Sequence, residues 1–429
     1  MLPMHRVRRV VEVVGVPGRC ARRLGLVALL GAAACSASGS SSGPGEPEPG
    51  DGVVVDPGPE PVPGGPIEVT LTGLAPGWVV TTSRLTDGRA PSDTTQVSDG
   101  SPLALTGAAN DVFVATITDG HGALVATQSM RQPCTVATSR QLHVPGEFRT
   151  IQAAIDAARA GDTVAVAAGR YTESVVMRPG VCLVGSGAQT TVLDAGGEPR
   201  SLIDLTDAPG SMVAGFTLRG VTMPDGCADT DPLTCSGDWY AAGIYLAGTR
   251  WSDPTQFAPP LIIGNTFEDN DIGVLLWWHG VAVIRNNVFV GNRSGFVANH
   301  FQSRTLIANN VFHGNTELAI GNQAAYLDIV ENVIAGSQLG IRFMYIQTGF
   351  IRCNRFFENG ADANEPRFEI GVDGNTSGDP GFVDPDAGDF HLAMTSPAVD
   401  TGCTGGVEPD GSPHDLGAFG GPLAAWAEL

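Results

Sequence analysis

A six-residue motif returns five times along this chain at almost constant spacing: NTFEDN at Asn265, NVFVGN at Asn287, NVFHGN at Asn310, NVIAGS at Asn332 and NRFFEN at Asn354, in steps of 22, 23, 22 and 22 residues. A period this short, carried by β-branched and aromatic residues, leaves room for one supersecondary coil per repeat. Such a coil can bury its apolar residues only by stacking on its neighbours. The chain is therefore expected to form a solenoid.

Aligning the repeats on the first asparagine shows which positions stack. Three residues before it stand Ile262, Ile284, Ile307, Ile329 and Ile351, and two residues after it stand Phe267, Phe289, Phe312, Ile334 and Phe356. Both columns are expected to point inward, where each side chain contributes roughly 1.5 to 3 kcal/mol of burial free energy. The asparagines sit where strands turn, and their stacked amides can bond one another along the axis; they are structural and carry no catalytic assignment. Eight residues on, Gly273, Gly295 and Gly340, with Leu318 in the one odd coil, open a further short strand. At least three short strands per coil, joined by tight corners, define an all-β fold: a right-handed parallel β-helix solenoid.

Upstream, FRTIQAAIDAARAGDTVAVAAGRYTESVVMRPGVCLVGSG (Phe148 to Gly187) has a different pattern. Ile151, Ala154, Ile155 and Ala158 follow helical spacing, Gly161-Asp162 ends the helix, and TVAVAA alternates as a strand does. The helix is expected to cap the open end of the stack, since an uncovered sheet edge invites aggregation. This stretch resembles the amino-terminal cap of pectin methylesterases and of many pectin-lyase-like β-helix proteins, in which TIQxAI and GxYxE stand at this spacing. The resemblance covers about 40 residues and implies a fold. It does not imply the esterase activity, because the motifs that carry that family's two aspartates and arginine are missing; Tyr171 and Glu173 match its GxYxE turn. The carboxyl-terminal DPGFVDPDAGDFHLAMTSPAVDTG and HDLGAFGG resemble the closing segment of secreted β-helix proteins.

The flanks suggest export. Arg22 and Arg23 precede the apolar run LGLVALLGAAA, and Ala32, Ala33 and Ala34 lead into Cys35, a pattern resembling a bacterial lipoprotein signal. The run is 11 residues long, too short to span a bilayer that needs about 20. Residues 1–34 thus read as a signal peptide with Cys35 as the lipidation site, and residues 35–66 as a Ser/Gly/Pro-rich tether. The membrane is then met through the lipid anchor only, at the outer membrane or cell surface, with a secreted or periplasmic protein as the alternative. Alternating runs such as IEVTL, WVVTT and DVFVATI read as a small Ig-like β-sandwich over residues 67–138. The solenoid follows over 139–421, with a tail at 422–429.

Six cysteines remain after Cys35, an even number that favours disulfides in an exported chain. Cys227 and Cys235 flank one short loop and are the pair expected first; no cysteine spacing suggests a metal site. Beyond residue 34 the chain carries 18 basic and 44 acidic residues, a balance of 18 − 44 = −26, so nucleic acid is not an expected partner. No cofactor is expected. Asp225, Asp229, Asp231 and Asp238 could hold calcium, but their spacing misses the EF-hand pattern and a solvated loop is the simpler reading.

The chain contains no lysine, which closes one route to uronate proton abstraction. Arg285, Arg304, Arg342 and Arg352 remain as bases, yet an arginine keeps its proton at ordinary pH. A glycoside hydrolase needs paired carboxylates, and Asp269 and Asp271 read instead as corner acids. Twelve to fourteen residues past the repeat asparagines stand Trp277-Trp278-His279, Asn299-His300-Phe301, Gln323 and Tyr345. On equal spacing Trp278, His300, Gln323 and Tyr345 form one column, a ridge of roughly 14 Å at about 4.8 Å per coil. Trp251 in the preceding loop and Arg342 lie beside it. Flat aromatic faces with amide and imidazole groups between them suit an extended glycan. The expected ligand residues are Trp251, Trp277, Trp278, His279, His300, Phe301, Gln323, Arg342 and Tyr345. The expected function is binding of an extracellular polysaccharide along this corner, with cleavage as a lyase or hydrolase left open. The alternative is a non-catalytic structural or adhesive surface protein with a protein partner.

Overall fold

The computed structural model describes residues 140–224, 241–248, 259–278, 280–299, 304–344, 349–364, 368–403 and 412–421, the isolated residues 99, 424 and 427, and the backbone of seven strands between residues 7 and 129. Three parallel sheets run the length of the solenoid. Sheet 1 has nine strands, from Gln141–Val144 to Ile351–Arg352; sheet 2 has nine, from Gly169–Tyr171 to Thr376–Ser377; sheet 3 has eight, from Val175–Val176 to Ala361–Ala363. Each coil visits them in turn, as in Leu261–Ile263, Thr266–Glu268 and Ile272–Trp277. The chain is a right-handed parallel β-helix, as the repeat requires.

The inward columns pack as the alternation demands. Ile262, Ile284, Ile307 and Ile329 are fully buried, and so are Phe267, Phe289, Phe312 and Phe356. Phe267, Phe289 and Phe312 stack with centroids 4.7 and 4.5 Å apart and planes within 7° and 5° of parallel, the spacing of adjacent strands. Gly273 lies beneath this stack: a Cβ there would come 2.5 Å from Gly295 O and 3.1 Å from the Phe289 ring. In sheet register Gly273 follows Ile272, which pairs with Ser294 and, one coil on, Leu318. The equivalent of Gly273 in the odd coil is therefore Ala319, not Leu318. Between Asn315 and Leu318 this coil holds one residue more than Asn292 to Ser294 does, at the Thr316-Glu317 turn, and Leu318 then pairs with Leu339, 21 residues on, so the offset ends within the coil.

Two corners are held by amide ladders. At the first, the Nδ2 groups of Asn265, Asn287, Asn310, Asn332 and Asn354 each donate to the Oδ1 of the next coil's asparagine at 2.9 to 3.1 Å, ending on Asn375. The same oxygen also accepts the preceding coil's backbone N–H, as from Asn287 N to Asn310 Oδ1 at 3.0 Å. At the second corner Asn270, Asn292 and Asn315 repeat the pattern, with Ser337 interrupting it before Asn359. Before each first-corner asparagine the chain is left-handed, at Gly264, Asn286, Asn309, Glu331 and Cys353.

The amino-terminal cap is the helix Ile151–Ala157, with Ile151, Ala154 and Ile155 buried in the solenoid core. Thr150 caps it, its hydroxyl accepting from Ala153 N at 3.2 Å, and the Glu173 carboxylate accepts from Ile151 N and Gln152 N. The glutamate of the GxYxE element thus neutralises the helix start. Earlier strands form a four-stranded antiparallel sheet, from Ser92–Val97 to Leu124–Ser129, and a three-stranded sheet in which Val7–Val11 pairs with Ile67–Leu71. Among the described residues no helix is long and apolar enough to cross a membrane.

The described coils end at Thr376–Ser377; the described residues after them, counted within the solenoid on sequence, fold back along its outside. Phe390, Ala398, Leu416 and Ala418 cover the outward Val288, Val311 and Val333 of sheet 2. Cys353 is joined to Cys403 with a Cα–Cα distance of 5.9 Å across 50 residues, a closure that stabilises by roughly 4 kcal/mol on chain-entropy grounds. Cys182 is also in a disulfide; Cys227 and Cys235 lie outside the described residues.

Asn310→Ala removes the acceptor of the buried Asn287 N–H and Nδ2 while leaving the Phe column intact. It is expected to cost about 1 to 3 kcal/mol, and Phe289→Ala about 3 to 5 kcal/mol, both read as lowered urea midpoints. A shift below about 0.5 kcal/mol for Asn310→Ala would show the ladder to be energetically idle.

Candidate functional site at the loop-bearing corner

Among the described residues the third corner, between sheet 3 and sheet 1, shows no asparagine ladder, and its connections vary in length, as between Ala247 and Leu261 and between Trp277 and Val283. Its approach is the outward side of sheet 3, which nearest this corner has two rows. One is Tyr245, Leu275, Val297, Gly321 and Arg342, aligned by direct strand pairing. The other begins with Ala247, Trp277 and Asn299. Asn322 pairs with Ala298 and Phe343, so the next residue, Gln323, continues the row of Trp277 and Asn299, followed by Met344.

This corrects the equal-spacing column. The extra residue at the Thr316-Glu317 turn moves Gln323 from the register of Trp278 and His300 to that of Trp277 and Asn299. A shift of one residue matters because side chains alternate between faces. Of the expected ligand residues, Trp277, Gln323 and Arg342 are half-buried on this face, and Trp278 is exposed at its rim. Trp251, His279, His300, Phe301 and Tyr345 lie outside the described residues, as do Asp225, Asp229, Asp231, Asp238 and Cys35.

Trp278 is distinctive. It ends the strand Ile272–Trp277, is 42% exposed, and sits at φ 35°, a conformation that a bulky residue rarely adopts. Among the described residues no other tryptophan, tyrosine or phenylalanine ranks with the exposed large apolar side chains. Its carbonyl accepts from Gly248 N at 2.7 Å, which ties the rim to the preceding coil. Asn299 beside it is buried. Across the corner, Asp328 is buried and its carboxylate accepts from Phe350 N at 3.1 Å; Arg352 lies over the Phe350 ring at 4.3 Å. The site is thus aromatic and amide-rich, with cations at its carboxyl-terminal end.

The other polar surface of the solenoid is self-satisfied. On sheet 2, Asp194, Arg219 and Glu268 stand in register. Asp194 takes Arg219 at 2.7 Å and Arg170 at 2.8 Å, and Arg219 takes Glu268 at 2.9 Å. Burial by itself would raise the Asp194 carboxyl. The Arg219 hydrogen bond, the Gly196 N–H and the charges of Arg170 and Arg219 outweigh it and hold Asp194 below the ordinary carboxylate range. These charges are matched to one another rather than to a ligand. Asp271 is likewise engaged, accepting from Met223 N, and Asp269 is a left-handed corner residue.

Sequence reasoning overlooked the second ladder and the buried Glu331–His414 pair. The ladder was legible in the sixth residue of each repeat, N, N, N, S, N. Nothing in the spacing pointed from Glu331 to His414.

Residues 260–368 match the model of a family described as periplasmic copper-binding protein (NosD). No curated protein matches the chain. Among solved structures, pectin methylesterase PemA from Erwinia chrysanthemi is 14% identical over 52% of this chain and 80% of its own, with a TM-score of 0.30. The pectin methylesterase from Yersinia enterocolitica is 15% identical over 54% and 82%, with a TM-score of 0.32. The mannuronan C-5 epimerase AlgE4 A-module from Azotobacter vinelandii is 18% identical over 50% and 70%, with a TM-score of 0.22. Likeness at this level carries nothing about activity or ligand. The class is plain from the sheets and the repeat: this is a right-handed parallel β-helix protein.

The family description mentions copper, and the described residues do not fit it. No three His, Cys, Asp or Glu side chains among them come together, and the described cysteines are in disulfides. Copper's usual imidazole and thiolate donors are thus not gathered at one place there, and no chemistry is derived through the metal.

A carboxyl held low stabilises the fold above its unfolded value, about 3.9, and that stability is lost as pH falls through the lower folded value. Asp194→Asn is therefore expected to lower stability at neutral pH and to flatten its decline below about pH 4, followed by circular dichroism. Parallel acid curves for variant and wild type would show Asp194 to be uncoupled from folding.

Proposed function

We propose that this chain is an exported, lipid-anchored surface protein that binds an extended extracellular polysaccharide along the third corner of its β-helix. The supporting observation is Trp278, an exposed indole in left-handed backbone beside a row of indole and amide side chains. Unfavourable backbone at a surface aromatic is the kind of local cost that functional sites retain, and an indole face with neighbouring amides matches the alternating apolar faces and hydroxyl rims of a sugar chain. Half-buried Trp277, Gln323 and Arg342 extend the surface along the axis, so successive coils meet successive sugars. Export is supported by the apolar leader ending at Cys35 and by the periplasmic description of the matching family. Lipidation of Cys35 would place the tether, residues 35–66, between membrane and solenoid. Cleavage of the glycan stays outside the proposal, since no paired carboxylates or proton-accepting base are assigned at the corner.

The test is a binding screen of the intact chain against polysaccharides, neutral and uronate-bearing. Trp278→Ala with Trp277→Ala is expected to weaken binding at least tenfold, about 1.4 kcal/mol, with unchanged circular dichroism. New reducing or unsaturated ends in the digest would add an enzymatic activity. If no polysaccharide binds, or the double variant binds as wild type does, the glycan proposal falls and the adhesive reading with a protein partner replaces it.

A further inference from the structure

The carboxyl-terminal segment is tied to successive coils at one position in each. Asn286 Nδ2 donates to Ala418 O at 2.8 Å and to Gly420 O at 2.7 Å. Asn309 Nδ2 donates to Asp415 O at 3.3 Å. Gly417 N donates to Glu331 O at 3.0 Å, and His414 Nδ1 lies 3.3 Å from Glu331 Oε2. Cys353 is bonded to Cys403. Asn286, Asn309, Glu331 and Cys353 are the four non-glycine left-handed residues that precede the ladder asparagines of four consecutive coils. The segment is a strap laid along that column.

Beneath the strap lies an apolar surface that a monomer would not leave bare. Val288, Val311 and Val333 point outward from sheet 2 in strict register, and Phe390, Ala398, Leu416 and Ala418 bury them. Gly417 sits directly on it: at φ 89°, its Cβ would meet Val311 at 3.2 Å and Val333 at 3.3 Å. His313 is edge-on to Phe382 at 6.1 Å and tilted against Phe390 at 5.1 Å.

Among the described residues the strap nevertheless adds no strand to any solenoid sheet. Its one pair of strands, Phe382–Asp384 with Asp389–Leu392, bonds only to itself. It is therefore held by isolated hydrogen bonds, apolar contact and a single covalent link. Cutting that link restores the freedom of a 50-residue separation, and the remaining contacts must then close a long loop unaided.

We propose that Cys353–Cys403 is a redox latch: oxidised, it keeps the strap closed over sheet 2, and reduced, it lets the strap lift and bare the Val288–Val311–Val333 surface. In the opening step a dithiol gives two electrons and two protons. The sulfur–sulfur bond breaks, Cys353 and Cys403 become thiols, and the dithiol becomes a disulfide. The latch works locally, because the strap's attachments, at Asn286, Asn309, Glu331 and Cys353, all lie on coils beyond residue 220.

The test is hydrogen exchange with mass spectrometry on the full chain, comparing wild type with Cys353→Ser/Cys403→Ser, and wild type before and after dithiothreitol. At least tenfold faster exchange is expected in peptides spanning residues 286–290, 309–313, 331–335 and 412–421, together with new binding of an apolar fluorescent dye. Peptides from residues 141–219 should keep their protection in the double variant. Glu331→Gln, which keeps the bond and weakens the His414 contact, is expected to leave the strap closed. Unchanged exchange in the double variant would overturn the latch, as would opening in Glu331→Gln equal to that of the double variant. Loss of protection through residues 141–219 would also overturn it, by showing a global rather than local effect.

Discussion

The amide ladder at the first corner governs the rest of the molecule. Each asparagine spends both its donor and its acceptor on neighbouring coils, and its oxygen takes the backbone N–H that the turn would otherwise strand in an apolar interior. A buried unpaired N–H costs about as much as the bond is worth, so the corner admits one geometry. From that geometry follow the left-handed residue before it, the alignment of the isoleucine and phenylalanine columns, and the pairing of sheet 3. The placement of Trp277 opposite Asn299 is a distant consequence of amides on the other side of the coil.

In the coils from Asn265 to Asn354 length varies chiefly at the third corner, while the long insertion before them lies at the second, between Thr217–Arg219 and Ile244–Ala247. Residues added between sheet 3 and sheet 1 leave both ladders undisturbed, whereas a residue added between the second ladder and sheet 3, as at Thr316-Glu317, moves the start of the next strand. Such a solenoid can therefore acquire binding surface at one edge without losing its scaffold. The exposed indole of Trp278 lies at that edge, while the matched charges of Asp194, Arg219 and Glu268 lie away from it.

Much of this was legible in the sequence, and the pattern of success has a physical cause. Columns that repeat each coil, such as Ile262 to Ile329 or Phe267 to Phe356, announce themselves because every coil solves the same packing problem. The capping helix was readable from its period, although the role of Glu173 at its start needed coordinates. Apart from the second ladder, what escaped was non-repetitive. The one-residue shift that realigned Gln323 depends on which turn absorbs an extra residue, and spacing alone does not locate it. The pairing of Cys353 with Cys403, and of Glu331 with His414, depends on a segment that leaves the repeat, and no periodicity governs where it lands. At the candidate site Trp277 and Trp278 were found because the corner recurs at coil spacing, while Asn299, read in the same series of triplets, was left out of the ligand set.

The returning strap also changes how the protein would respond to tension. A bare solenoid pulled from its carboxyl end peels one coil at a time, each step opposed only by the next neighbour. Here the chain leaves the last coil, doubles back and is fastened across four coils. A pull on residues beyond the strap is thus applied as shear along the column of corner residues, loading several attachments at once. That geometry separates mechanical strength from thermodynamic stability.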